Sequence, residues 1–293
     1  MGAKETGMFN GINRSSPRYT RLNPALLLIA VIAILSSTSA YAEKFASIII
    51  DDLGNSYEYG YDIINLPGAL TLAILPRTIY AKDLARLGMR KHKEIMLHLP
   101  MQSVENQKHS PGTLDLHMTR LEFVRQLRLN LNSVPYVRGV NNHMGSLLTR
   151  HPGHMSWLMD ELAHHGGLYF VDSKTTSKSI ADKIAIEHQV PNLSRDFFLD
   201  PKYDEKTIKR QFDLFIKKVN KRGYALAIAH PHPNTIKFLQ AHLSELAKQG
   251  ITLVPVSQLI RNASGRNRPL NNHQQDHQRL SRQQLDAPPE ELL

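Results

Sequence analysis

No cysteine occurs among the 293 residues. That excludes disulfides, thiolate zinc sites and cysteine nucleophiles together, and leaves histidine and carboxylate as the side chains able to hold a metal. Long hydrophobic runs are missing too. The apolar stretch at residues 25–35 is about eleven residues, well short of the roughly 20 that a membrane-crossing helix needs. No internal repeat divides the chain, no linker splits its body, and its basic residues form no stripe of the kind that tracks nucleic acid, so a nucleic-acid partner is not expected.

Two atypical ends stand out among the features that are present. Lys4, Arg14, Arg18 and Arg21 precede the apolar stretch, and Ser-Ala-Tyr-Ala closes at Ala42 with the small residues a signal peptidase reads. Residues 1–42 are therefore expected to be a secretory signal peptide. The alternative, an uncleaved signal anchor beginning near Leu22, would be the chain's one link to a membrane. Residues 262–293 are rich in Asn, Gln, Arg, His and Pro and are expected to be a disordered polar tail, because so little apolar surface cannot offset the entropy of ordering. Between them, residues 43–261 form one domain whose moderate positive charge suits an anionic surface or simply a solvated face.

Within the domain, short apolar runs alternate with helical patterns. Runs at 45–50, 69–75, 94–97, 137–141, 168–171, 197–199, 224–229 and 252–255 read as strands. The segments 80–90, 121–131, 155–162, 207–219 and 235–248 read as helices. This is an α/β pattern of parallel βα units. The strand ends are regular in the residues they carry: Asp51-Asp52, His98, Asn141-Asn142-His143, Asp172, Asp200 and His230-Pro231-His232. In parallel α/β folds such positions share one rim, where the chemistry is placed.

The first of these, Ile-Ile-Ile-Asp-Asp-Leu-Gly at residues 48–54, sets two carboxylates against a buried strand, where they need partners or a metal. Asp52, His98 and His143 are the expected ligands of a divalent cation, zinc above all, which acidifies water and makes it nucleophilic near neutral pH. Asp51 is then the spare carboxylate, a general base, and His230 a general acid from across the rim. Asp172 either caps the following turn or orients a histidine, and Asp200 presents the same choice. Arg195 either pairs with an acid or contacts substrate.

These blocks resemble the divergent, YibQ-type polysaccharide deacetylases, a branch of the NodB-homology carbohydrate esterases. The resemblance rests on Ile-Asp-Asp-Leu-Gly, His-Leu-Pro-Met at 98–101, Asn-Asn-His-Met-Gly-Ser at 141–146, Val-Asp-Ser-Lys-Thr at 171–175, Arg-Asp-Phe-Phe-Leu-Asp at 195–200 and Ala-His-Pro-His at 229–232. It implies a deformed (β/α) barrel of about seven parallel strands. It also implies an exported, periplasmic or envelope-bound hydrolase that removes N-acetyl groups from a polysaccharide or peptidoglycan-type glycan, with Asp51 as base, Asp52 on the metal and His230 as acid. The second metal histidine expected four residues after His98 is Gln102 here. His143 takes its place, with His232 second in line, and Asn142 belongs to the block standing where the family's oxyanion-site segment would be. The alternative is a non-catalytic barrel that binds a glycan or an envelope partner.

Overall fold

A computed structural model describes Gly2 and residues 43–105 and 110–267. Apart from Gly2, the expected signal peptide lies outside the described residues, as do residues 268–293 of the expected tail. No described helix is long and apolar enough to cross a membrane.

Among the described residues nine parallel strands make one sheet: β1 (Lys44–Leu53), β2 (Thr71–Ile74), β3 (Glu94–Met101), β4 (Val137–Met144), β5 (Tyr169–Asp172), β6 (Asn192–Ser194), β7 (Phe197–Phe198), β8 (Tyr224–Ala229) and β9 (Ile251–Leu253). Their order is β6-β5-β4-β3-β2-β1-β8-β7, with β9 beside the start of β1. β8 runs along one edge of β1 from Phe45 to Ile50, so β9, opposite Lys44 to Ala46, shares the other edge with β2, which joins at Ile49. The sheet curls into a half-barrel, the α/β fold anticipated. β6 was not anticipated, since three half-buried residues carry no readable pattern.

Helices α1 (Tyr57–Asn65), α2 (Ala81–Arg90), α3 (Arg120–Ser133), α4 (Pro152–His164), α5 (Ala181–Glu187), α6 (Glu205–Arg222), α7 (Pro233–His242), α8 (Ser244–Lys248) and α9 (Val256–Asn267) complete the domain. The pattern expected as one helix over 235–248 is two, α7 and α8, divided at Leu243. α6 shows the general logic. Asp204 caps its start by accepting from the Thr207 amide at 2.9 Å, and Ile208, Phe212, Phe215 and Val219 recur on the face turned to the sheet.

Strand side chains alternate between two cores. Ala46, Ile48 and Ile50 pack outward with the helices, while Phe45, Ile49, Ala73, Met96, Val171 and Ile228 fill the barrel interior. α9 closes the lower mouth, burying Val256, Leu259, Ile260 and Ala263 at helical spacing. The expected tail boundary is corrected here: helix continues through Asn262 to Asn267 because Ala263 belongs to that buried stripe. Polar composition alone hid it.

Candidate metal centre

The apolar interior is the floor of the site. Above Ile49, Met96 and Ile228, two residues further along the chain, come Asp51 and His98 within their strands and His230 just past the end of β8. β3 and β4 stay paired to their ends, placing His98 beside Asn141 and Pro100 beside His143. The site residues expected just after these strands thus lie within them, held by backbone hydrogen bonds rather than by loops.

Alternation would send adjacent Asp51 and Asp52 to opposite faces. It is broken here. Register slips between Ile50 and Leu53, and Asp52 takes a φ of 57°, a left-handed conformation that Asp tolerates better than most residues. Both carboxylates consequently close on one imidazole, with His98 Nε2 3.1 Å from Asp52 Oδ1 and 3.6 Å from Asp51 Oδ2. Gly54 then turns the chain away at φ 125°, where a Cβ would collide with the Thr78 hydroxyl.

Asp52 Oδ1, His98 Nε2 and His143 Nδ1 form a near-equilateral triangle, with sides of 3.1, 3.0 and 3.1 Å. Asp52 Oδ1 is buried without a correctly directed hydrogen-bond partner, although two ring nitrogens are close. Lone pairs so arranged suit a common cation rather than one another. Ligand bonds of about 2.0–2.1 Å in a tetrahedral site put neighbouring donor atoms roughly 3.3 Å apart, close to this triangle. Among the described residues this is the group of three with metal-ligand spacing, and its N₂O donor set fits a divalent cation such as zinc. His232, the second choice for a ligand, is elsewhere: it caps α7 and lies flat against Tyr203 at 4.1 Å.

Asn141, fully buried, ties the centre together and was not singled out in the sequence. Its Nδ2 donates to Asp51 Oδ1 at 2.8 Å, because a carboxylate can only accept, so its Oδ1 must face His98 Nδ1, also at 2.8 Å. His98 Nδ1 then carries a proton and Nε2 is the nitrogen turned to the cluster, where, against the pull of burial, Asp51 and Asp52 favour a second proton and a cation would take that proton's place. The signal was a pair of asparagines inside a strand, where that residue is disfavoured.

Electrostatics divide the two carboxyls. Burial over the apolar floor raises Asp51 above the usual carboxylate range, against the pull of His98 and His230. Burial acts the same way on Asp52, but the imidazoles of His143 and His98 overcome it and hold Asp52 far below. Across the rim, burial pulls His230 down. A hydrogen bond from its Nδ1 to Asp200 Oδ1 at 2.9 Å, with the charges of Asp51 and Asp200, reverses this and raises it to about 9. Asp200 also accepts from the His230 amide and the Thr235 hydroxyl, so of its two anticipated roles it fills the orienting one.

The remaining candidates brace the rim. Asp172 accepts from the Lys174 amide and the Ser179 hydroxyl, which makes it a turn cap rather than a histidine's partner. Asn142 bridges the Ser173 amide and the Met144 carbonyl. Arg195 donates to the Ser173 and Lys174 carbonyls, and its guanidinium covers Phe198 at 3.7 Å. Phe198 in turn faces the His230 ring, 5.8 Å away.

Comparison with known proteins gives matches consistent with this geometry. The family model described as "Divergent polysaccharide deacetylase" matches residues 48–260. An uncharacterized protein of Haemophilus influenzae is 37% identical over 228 residues, spanning 78% of this chain and 81% of its own. The uncharacterized protein YibQ of Escherichia coli is 34% identical over 233 residues, 80% of this chain and 72% of its own. Among solved structures, an uncharacterized protein of Agrobacterium tumefaciens superposes with a TM-score of 0.72 at 22% identity, covering 75% of this chain and 91% of that one, a likeness of fold.

Proposed function

The chain belongs to the divergent polysaccharide deacetylase family, and on that premise we propose that it is an exported, metal-dependent hydrolase removing N-acetyl groups from a cell-envelope carbohydrate. The observation carrying this reading is the triangle of Asp52, His98 and His143 with a second, differently poised carboxylate beside it. Asp52, His98 and His143 would hold a divalent cation, zinc by the donor set, which when bound would supply Lewis acidity toward water and the amide carbonyl.

The chain's own groups supply the proton traffic. Asp51, whose proton affinity burial raises, takes a proton from the attacking water. His230, held protonated by Asp200, gives a proton to the amide nitrogen as the carbon–nitrogen bond breaks, so acetate and a free amine leave. Asn141 holds Asp51 and His98 in fixed relation throughout. Export rests on the signal-like residues 1–42, and a glycan of the polysaccharide or peptidoglycan type rests on the family.

His143 at the third vertex favours catalysis over the non-catalytic alternative, whose main argument was the missing histidine at Gln102. Purified protein loaded with zinc should hold about one metal per chain and release acetate from N-acetylglucosamine oligomers or peptidoglycan. Absence of bound metal, together with an Asp51→Asn variant indistinguishable from the parent in every assay, would sink the proposal.

A further inference from the structure

The β1–α1 turn carries more than the carboxylates. α1 opens with Tyr57 and Tyr61, one helical turn apart, and both rings are nearly half exposed, at 45% and 48%. They lie 6.2 Å apart with planes inclined by 27°, and Tyr80, at the start of α2, meets Tyr57 edge-on at 5.8 Å. The core fixes this arrangement. Tyr80 is anchored against the hydrophobic core, and Gly60, where a Cβ would fall 2.5 Å from Leu84, lets α1 press onto α2 and bring the rings together. Single exposed apolar side chains need no explanation, but a contiguous aromatic surface usually marks a binding site.

These rings wall a cavity of about 660 Å³ whose polar lining includes Asn55, Glu58 and Asp62 and, among the described residues, contains no lysine or arginine. Asn55 follows the ligand Asp52 by three residues, so the cavity wall begins within about 11 Å of it along the chain. Aromatic faces beside hydrogen-bond acceptors, with no lining cation to balance a negative ligand, suit the apolar faces and hydroxyl groups of an uncharged pyranose.

We propose that Tyr57, Tyr61 and Tyr80 form a stacking subsite for uncharged sugar residues of an extended N-acetylated glycan, adjoining the metal centre. This deepens the deacetylase reading and rests on it for the position of the reacting sugar. The subsite makes the protein a reader of chain length: sugars beyond the reacting one bind by stacking, and anionic glycan segments are disfavoured by Glu58 and Asp62.

The test titrates N-acetylglucosamine oligomers of two and five units into the full chain, zinc-loaded, in an Asp51→Asn background that keeps turnover from blurring the titration. The pentamer should bind about tenfold more tightly than the dimer, and a Tyr57→Leu/Tyr61→Leu pair should abolish that difference while Tyr57→Phe/Tyr61→Phe keeps it, because stacking needs the ring and not the hydroxyl. Circular dichroism on each variant checks the fold, which exposed positions should not disturb. Length dependence surviving in the leucine pair overturns the subsite, as does failure of either oligomer to bind. Acetate release by the parent chain, assayed alongside, separates the two ideas. Turnover with a length dependence indifferent to the tyrosines overturns the subsite alone. Tyrosine-dependent binding without turnover supports it and counts against the deacetylase reading.

Discussion

The two mouths of the half-barrel treat a carboxylate, Glu94 at one and Asp52 at the other, in opposite ways. At the lower mouth Glu94 Oε1 accepts from the Tyr169 hydroxyl at 2.8 Å and from the Thr71 hydroxyl and Ser257 amide at 3.1 Å. Lys93 is buried nearby and donates to the Leu66 and Gly68 carbonyls. Every one of these groups finds its partner inside the chain, and α9 seals them in. At the upper mouth Asp52 Oδ1 is buried without such a partner, and Asp52, Met144 and Lys174, at the ends of three strands or just beyond, hold positive φ. Positive φ is shared by both mouths, since His92 and Tyr136 hold it just before β3 and β4, so the contrast rests on the unsatisfied acceptor, which marks where the fold is kept ready for something else.

That contrast breaks most sharply at Asp52. Asp52→Ala should abolish metal binding and lower acetate release by about 10³-fold or more, while Asp51→Asn should keep the metal and lose about 10²–10⁴-fold in turnover. Asp51→Asn should cost the metal-free protein little stability, whereas Asp52→Ala should cost some near neutral pH, because a carboxyl held low by His143 and His98 favours the folded state there. Metal content and thermal denaturation of the stripped proteins check both halves. An Asp52→Ala variant that keeps its metal would erase the distinction between the mouths.

Asn141→Ala comes next. It leaves all three ligands in place but frees the His98 tautomer and releases Asp51, so zinc affinity should fall about 10–100-fold in competition with a chelator. Asn141→Asp should also do badly, because a carboxylate cannot donate to Asp51.

How far the sequence disclosed this division depends on the demands of each feature. Asp51-Asp52, His98, His143 and His230 were legible, because two charges at the end of an apolar strand and histidines at other strand ends have few bland explanations. The parallel α/β fold was legible from alternation alone. Asn141 was not, since its role depends on register with His98, a property of pairing between strands rather than of either strand. The irregularity at Asp52 was similarly hidden: adjacent aspartates announce that alternation fails but not which way the backbone turns. Asp172 and Asp200 looked alike as acids after strands, and only the partner across the rim separates a turn cap from the orienter of His230. The end of α9 was missed because one buried alanine sits among five polar or small residues.

At the lower mouth the expected effects are smaller and of the other kind. Tyr169→Phe removes one donor to Glu94, which retains two, and should cost about 1 kcal/mol in denaturant unfolding without altering metal content or turnover. A change in zinc affinity would show that the mouths are coupled through the interior rather than separate.

The smallest effect tests whether His230 is fastened as firmly as the lower mouth while still belonging to the upper one. Its folded value of about 9 lies above the ordinary 6.5. The folded protein therefore holds a proton between those values that the unfolded chain has released, and stability must fall as pH rises through that window. The contribution is fully present below about 6.5 and lost above about 9, with a slope that cannot exceed about 1.4 kcal/mol per pH unit for one proton. Asp200→Asn keeps an acceptor for the Thr235 hydroxyl and the His230 amide but removes the charge, so it should flatten the slope between pH 7 and 9 and shift the alkaline limb of the activity profile downward. Chemical denaturation of metal-free protein at several pH values measures the first, and the pH dependence of acetate release the second. An unchanged stability slope in Asp200→Asn would mean that Asp51, not Asp200, holds the proton on His230, and the upper mouth would then be bound together through its two catalytic groups rather than through the Asp200 brace.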